Sequence, residues 1–270
     1  MKYILLFLCI LSLSCKYNVA NPVGTLRDYT EGSGVIYYVS SSSSEADIKL
    51  ALMKNKHSLG KYLIKVSATN DTSNSATNIL NEIKKALTNN SSFDNLEVDI
   101  SKLEGITEIP ASVFKDVKNL GSISLSDKVT KINKEAFSGC SSLNNVRFSN
   151  GLTDILDSAF SNCSALTLVM LSSEKLTNIG TNAFSGCSSL VSIILSASLK
   201  TICNDAFTNC TKLANVEYLG KTNSISTNCK PFSNGTNPSN LYLPNASSGF
   251  SGSFLGKSDW KTNYSKHIPN

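Results

Sequence analysis

The sequence predicts an α/β-type repeat solenoid: a right-handed coil stacked through a parallel β-sheet, with a small α/β cap at the N-terminal end and an irregular cap at the C-terminal end. Three observations carry this. The stretch Ala136-Phe137-Ser138-Gly139-Cys140-Ser141-Ser142-Leu143 returns at residues 159–166, 183–190 and 206–213, with weaker copies around Phe114 and Phe232. The phenylalanines at 114, 137, 160, 184, 207 and 232 are 23, 23, 24, 23 and 25 residues apart, a period that marks a coil repeated in space. Nine and eleven residues after them stand apolar pairs, from Ile123/Leu125 to Val216/Tyr218, and a spacing of two is strand alternation aimed at a core.

From the beginning of the chain, Met1-Lys2-Tyr3 and the apolar run at residues 4–11 form a basic start and a core too short to span a bilayer, so residues 1–14 read as a secretory signal peptide. The run ends in Ser12-Leu13-Ser14-Cys15, which resembles a loose bacterial lipobox, with Ser12 where that pattern prefers leucine. The resemblance implies cleavage before Cys15 and a lipid on its sulfur; the plainer alternative is an ordinary signal peptide cleaved nearby. No other stretch is apolar enough for a membrane helix, so contact with the membrane would rest on this lipid anchor. Residues 15–34 contain Pro22, Gly24, Gly32 and Gly34 without apolar periodicity and read as a lipidated tether.

Residues 35–92 read as the α/β N-terminal cap. Strands are expected at 35–39 and 63–67, and helices at 45–54, with Ser44 as a possible N-cap, and at 75–87, where Ile79, Leu80, Ile83 and Leu87 share a face. A strand at 96–100 precedes the Ile123/Leu125 pair by one coil and opens the repeat sheet. Such a cap is needed because an open first coil exposes core and strand edge.

The solenoid occupies residues 93–245. Two residues after each phenylalanine come Asp116, Gly139, Asn162, Gly186, Asn209 and Asn234, residue types that accept a left-handed backbone most cheaply, so the column reads as one tight turn made six times. Next comes Val117, Cys140, Cys163, Cys187, Cys210 and Gly235, a column of small, mostly apolar groups. Ile109, Ile132, Ile155, Ile179 and Ile202, five before the phenylalanines, mark a second short extended segment on the far side of each coil. After Pro244 the pattern stops, and residues 246–270, with Phe254, Leu255 and the single tryptophan Trp260, read as the C-terminal cap.

These motifs resemble the BspA-like leucine-rich repeat family, whose units carry an Ala-Phe-x-x-Cys-x-x-Leu core between extended segments. The resemblance covers residues 93–245. It implies a surface or secreted bacterial protein that binds host or neighbouring-cell molecules, and, with Cys15, a cell-envelope location at the outer membrane or cell surface.

Little in the sequence supports catalysis. The two histidines, His57 and His267, lie in polar surroundings far apart in the chain, and no glycine-rich phosphate loop follows a strand. The cysteines recur once per coil, without the close pairs that hold zinc, so neither metal nor cofactor is expected. The net charge of +5 comes from scattered lysines, with arginine only at Arg27 and Arg147, which gives no clustered basic face for nucleic acid.

The function expected is therefore adhesion-type: a non-enzymatic module engaging an extracellular or envelope protein or glycan, with a structural envelope-assembly protein as the alternative. Positions eight and ten after each phenylalanine should face outward. Most are polar, but Leu168, Met170 and Ile194 fall together on two adjacent coils, with Arg147 and Glu217 expected as a flanking rim and Tyr242 one coil beyond. Apolar residues also favour strands generally, and single exposed ones need no explanation, so the cluster reads also as strand propensity. Cys203 and Cys229 stand outside the cysteine column at matching places in successive coils, either as a disulfide or as two free thiols.

Overall fold

The computed structural model describes residues 27–31, 34–67, 72–88, 93–226, 229–246, 250 and 254–265. Cys15 and the leader lie outside the described residues, as does His267. The N-terminal unit runs β1 (Arg27–Glu31), β2 (Gly34–Val39), α1 (Glu45–Leu59), β3 (Leu63–Val66), α2 (Ser73–Thr88) and β4 (Leu96–Asp99). β1 falls in the stretch read as tether. It pairs antiparallel with β2, Arg27 opposite Tyr38, and a strand whose ladder comes from its partner carries little signature of its own.

α1 runs beyond its expected end at residue 54. Ser44 caps it through a capping box with Asp47, and Gly60, at φ 74°, closes it by donating its N–H to Lys56 O. Asn55 is buried on the sheet-facing side, a position that an apolar count misses. Its Oδ1 accepts from the Tyr37 N–H at 2.8 Å, and its Nδ2 donates to Tyr37 O at 3.0 Å and Leu63 O at 2.8 Å. α2 buries Ile79, Leu80, Ile83 and Leu87, the face its periodicity predicts.

The repeats then build two layers. Short strands β5 (Glu108–Ile109), β7 (Lys131–Ile132), β9 (Asp154–Ile155), β11 (Asn178–Ile179) and β13 (Thr201–Ile202) form one continuous parallel sheet. The longer strands are β6 (Leu120–Ser124), β8 (Asn145–Arg147), β10 (Leu168–Leu171), β12 (Ser192–Leu195), β14 (Asn215–Tyr218) and β15 (Asn240–Tyr242). β4 pairs with β6, Val98 opposite Ile123, so the cap and first coils share a sheet. At the other end β16 (Lys261–Asn263) extends the sheet past β15, Tyr242 opposite Asn263.

Between the layers the phenylalanines stack. Rings 114, 137, 160, 184 and 207 lie 5.0 to 5.4 Å apart with planes within 11° of parallel. The last step, to Phe232, loosens to 5.8 Å and 29°. The turn column is left-handed throughout, from Asp116 at φ 60° to Asn234 at 46°. Its alternation of Gly with Asx also has a steric reason: a Cβ on Gly139 would lie 2.2 Å from Asp116 Oδ1, and one on Gly186 2.4 Å from Asn162 Oδ1. The Asp116 and Asn162 side chains thus fill the space over the next coil's glycine.

The cysteine column is buried, as small apolar groups should be, but it is also hydrogen-bonded. Cys140, Cys163, Cys187 and Cys210 donate their thiols to the carbonyls of Phe114, Phe137, Phe160 and Phe184 at 3.0 to 3.3 Å. Where Gly235 ends the column, the Thr236 hydroxyl takes over, donating to Phe207 O at 2.6 Å and accepting from Cys210 N–H at 2.7 Å. The C-terminal cap closes on Phe254 and Leu255, both buried, and Trp260 donates its indole N–H to Phe254 O at 2.9 Å.

Candidate binding face

The long-strand layer is not one sheet. β8 ends a six-stranded sheet and β10 begins a five-stranded one, and the two strands do not pair. The short-strand sheet continues across the same place, with β7, β9 and β11 in register. At either end of the gap the coils still touch, through Ser164 Oγ to Ser141 O at 3.3 Å and Ser173 Oγ to Asn150 O at 2.9 Å. The opening is therefore a slot confined to the strands themselves.

Two sequence features sit at the slot. Phe148 occupies a place held by leucine in coils such as those of Leu125, Leu171 and Leu195, and its ring meets Phe160 edge-on at 5.6 Å. Tyr218, the other ring in this column, sits in a strand that pairs on both sides, so it is at Phe148 alone that a ring coincides with the parting of the strands. The 24-residue step from Phe160 to Phe184 adds one residue after β10. In consequence Val146 and Phe148, whose spacing points to the core, are only half-buried. A crevice of about 200 Å³ opens there, lined by apolar groups such as Val146, Phe148 and Met170 and by polar ones, Arg147, Ser149, Asn150, Ser172 and Ser173.

Register brings four of the six expected contact residues into one line. Met170 pairs with Ile194, Ile194 with Glu217, and Glu217 with Tyr242, while Leu168 lies two residues from Met170 on β10. Met170 is 51 % exposed, and Leu168, Ile194 and Tyr242 are half-buried. Glu217 corrects the expected rim: it lies inside the line, and at 1 % exposure it is buried. Strand alternation assigns a side chain to a face but cannot say whether that face is wet. Arg147 stands across the slot, in the other sheet. It is exposed and pairs with Asp127 at 3.8 Å, both side chains more than half exposed, an interaction of about 0–1 kcal/mol that leaves the guanidinium free to bind elsewhere.

Val191, 42 % exposed and one residue before β12, joins the apolar group and was missed because it lies outside the alternating positions. Parallel to this line, Asn240 Nδ2 donates to Asn215 Oδ1 at 2.8 Å and Asn215 Nδ2 to Ser192 Oγ at 3.2 Å. These polar groups bond one another along the sheet.

A model of the BspA type leucine rich repeat region matches residues 107–251 in six copies. The chain belongs to the BspA-type leucine-rich repeat family. Among solved structures, this repeat protein is similar to a T. pallidum leucine-rich repeat protein, at 24 % identity over 63 % of this chain and 86 % of that one, with a TM-score of 0.44. It is similar also to a leucine rich cell surface protein from Faecalibacterium prausnitzii, at 32 % identity over 47 % of this chain and 33 % of that one, TM-score 0.45. A leucine-rich repeat protein from Bacteroides ovatus matches at 20 % identity over 84 % of this chain and 48 % of that one, TM-score 0.47. The chain thus spans half or less of the length of the latter two. No curated protein matches it.

Leucine-rich repeat scaffolds of this family are generally protein-binding modules rather than enzymes. Among the described residues no three histidines, cysteines or carboxylates group as a metal site, and no helix is long and apolar enough to cross a membrane. Burial pushes the Cys140 thiol up to about 12 and holds Cys163 and Cys187 well above the usual thiol value, so these three carry little thiolate at neutral pH. Cys203 and Cys229 are two free, half-buried thiols in this structure.

Proposed function

We propose that this BspA-type repeat protein is an exported, lipid-anchored surface module that binds a protein of a host or neighbouring cell through the face around the β8/β10 slot. One observation carries the reading: Met170, Leu168, Ile194 and Val191 expose apolar surface beside a crevice of mixed apolar and polar lining. The exposed Met170 and Val191 favour an apolar side chain on the partner, and Arg147 favours an acidic neighbour. The partner is therefore a protein presenting an apolar anchor next to a carboxylate. The signal-like leader and Cys15 support export and lipidation.

Two experiments test this. Met170→Thr/Ile194→Thr in the whole chain, which removes apolar surface without placing a charge opposite Glu217, should leave circular dichroism and melting close to wild type and abolish capture of a protein partner from host or neighbouring-cell surfaces. Normal capture would place the site elsewhere; a partner from the cell's own envelope would replace adhesion with envelope assembly. Labelled palmitate should enter the wild type and not Cys15→Ala, and label retained by the variant would refute the anchor.

A further inference from the structure

We propose that Cys203 and Cys229 form a disulfide that staples the last repeat coil to the coil before it. The ladder of backbone hydrogen bonds places them. Leu156, Gly180 and Cys203 each donate an N–H to the isoleucine of the preceding coil, Ile132, Ile155 and Ile179, at 2.8 to 2.9 Å, so they occupy one column. In the next column, Glu135, Ser158, Asn182 and Asp205 donate to the carbonyls of Asp157, Thr181, Asn204 and Lys230 at 2.9 to 3.4 Å. Residues 157, 181, 204 and 230 therefore stack, and Cys229 stacks on Cys203. A second bond, from Lys230 N–H to Asn204 Oδ1 at 2.8 Å, holds the register next to the pair.

Stacked positions in adjacent coils lie about one strand spacing apart, ~4.8 Å. That falls within the Cα separation of roughly 4.4–6.8 Å that a disulfide bridges. Cys203 also senses its neighbour: burial first, and then charge on Cys229, raise its thiol above the ordinary value. The other column of cysteines is spaced by one coil too, but there each thiol is sealed in the core and committed to a phenylalanine carbonyl. Among the described cysteines only Cys203 and Cys229 are half-buried rather than buried.

The step is a thiol–disulfide exchange with a small-molecule or protein disulfide as oxidant. One thiolate attacks the oxidant's S–S bond, forming a mixed disulfide and releasing a thiol. The second thiolate displaces the other half, so two protons and two electrons leave the protein and two thiols leave as products. In the cell an oxidising environment follows from the exported location proposed above, whereas the geometry stands by itself. The bond would secure the coil that carries Tyr242, where the phenylalanine stack is already loosest.

The test uses the whole folded chain in oxidised glutathione, which supplies the oxidant whether or not the protein is exported. Alkylation, non-reducing digestion and mass spectrometry should show one linked peptide joining Cys203 to Cys229, a loss of two hydrogen masses, and four alkylated column cysteines after unfolding. Reductant should lower the wild-type melting midpoint by several degrees and leave Cys203→Ser/Cys229→Ser unmoved. Both thiols alkylated, a link between other cysteines, or a link that forms only in denaturant would overturn the proposal.

Discussion

Phe184→Ala should destabilise the protein far more than the matching change at the last coil, Phe232→Ala. Phe184 is fully buried between Phe160 and Phe207, at centroid distances of 5.2 and 5.3 Å and with planes 3° and 4° from parallel. A buried Phe→Ala change costs about 3–5 kcal/mol, and here it also opens two coil interfaces of an array held by nearest neighbours. Phe232 is half-buried, keeps one stack at 5.8 Å and 29°, and otherwise meets Trp260 edge-on at 6.0 Å. With roughly half the burial lost, its removal should cost about 1.5–2.5 kcal/mol. Urea unfolding separates the two if followed by circular dichroism and by the fluorescence of the single tryptophan, Trp260. Phe184→Ala should move both transitions, and Phe232→Ala should move the fluorescence transition further than the dichroism. Equal losses for the two variants, or a larger one for Phe232→Ala, would show that the stack does not carry the stability assigned to it.

Phe148→Leu should let β8 approach β10. A few strand hydrogen bonds at about 1 kcal/mol each would be gained against an aromatic contact of about 0.5–1.5 kcal/mol, and hydrogen exchange at β10 should slow; unchanged exchange would mean that the ring does not hold the slot open. Gly180→Ala should cost about 1–3 kcal/mol by chemical denaturation, because its Cβ would lie 2.7 Å from Asp157 N and from Leu156 C, backbone atoms that cannot swing aside. For Cys140, a folded-state thiol raised to about 12 from a usual 9 favours folding below the unfolded value, and that contribution is lost as pH rises through the folded one. Alkali should therefore destabilise wild type more than Cys140→Ala between about pH 9 and 12, and equal alkaline limbs would exclude the thiol.

The periodic part of this protein was legible because each coil repeats the same local demands. Left-handed Asx or Gly, a ring, a small thiol and two alternating strand residues recur at fixed offsets, and six copies turn weak single signals into a register. A second left-handed column, Ser112, Glu135, Ser158, Asn182 and Asp205 at φ 55–58°, left no trace, since serine and glutamate do not announce that backbone. β1 and β16 were equally silent, because their ladders are supplied by strands already in place.

The sequence by itself determined the repeat, the core columns, the facing of Met170, Ile194 and Tyr242, and the matching places of Cys203 and Cys229. These follow from local stereochemistry applied once per coil. Only the tertiary structure decided that the sheet parts between β8 and β10, that Val146 and Phe148 line a crevice, and that Glu217 is buried while Val191 is exposed. The physical reason is that burial and strand pairing depend on how neighbouring coils approach one another. That approach can change between two coils without disturbing the pattern that announces each of them.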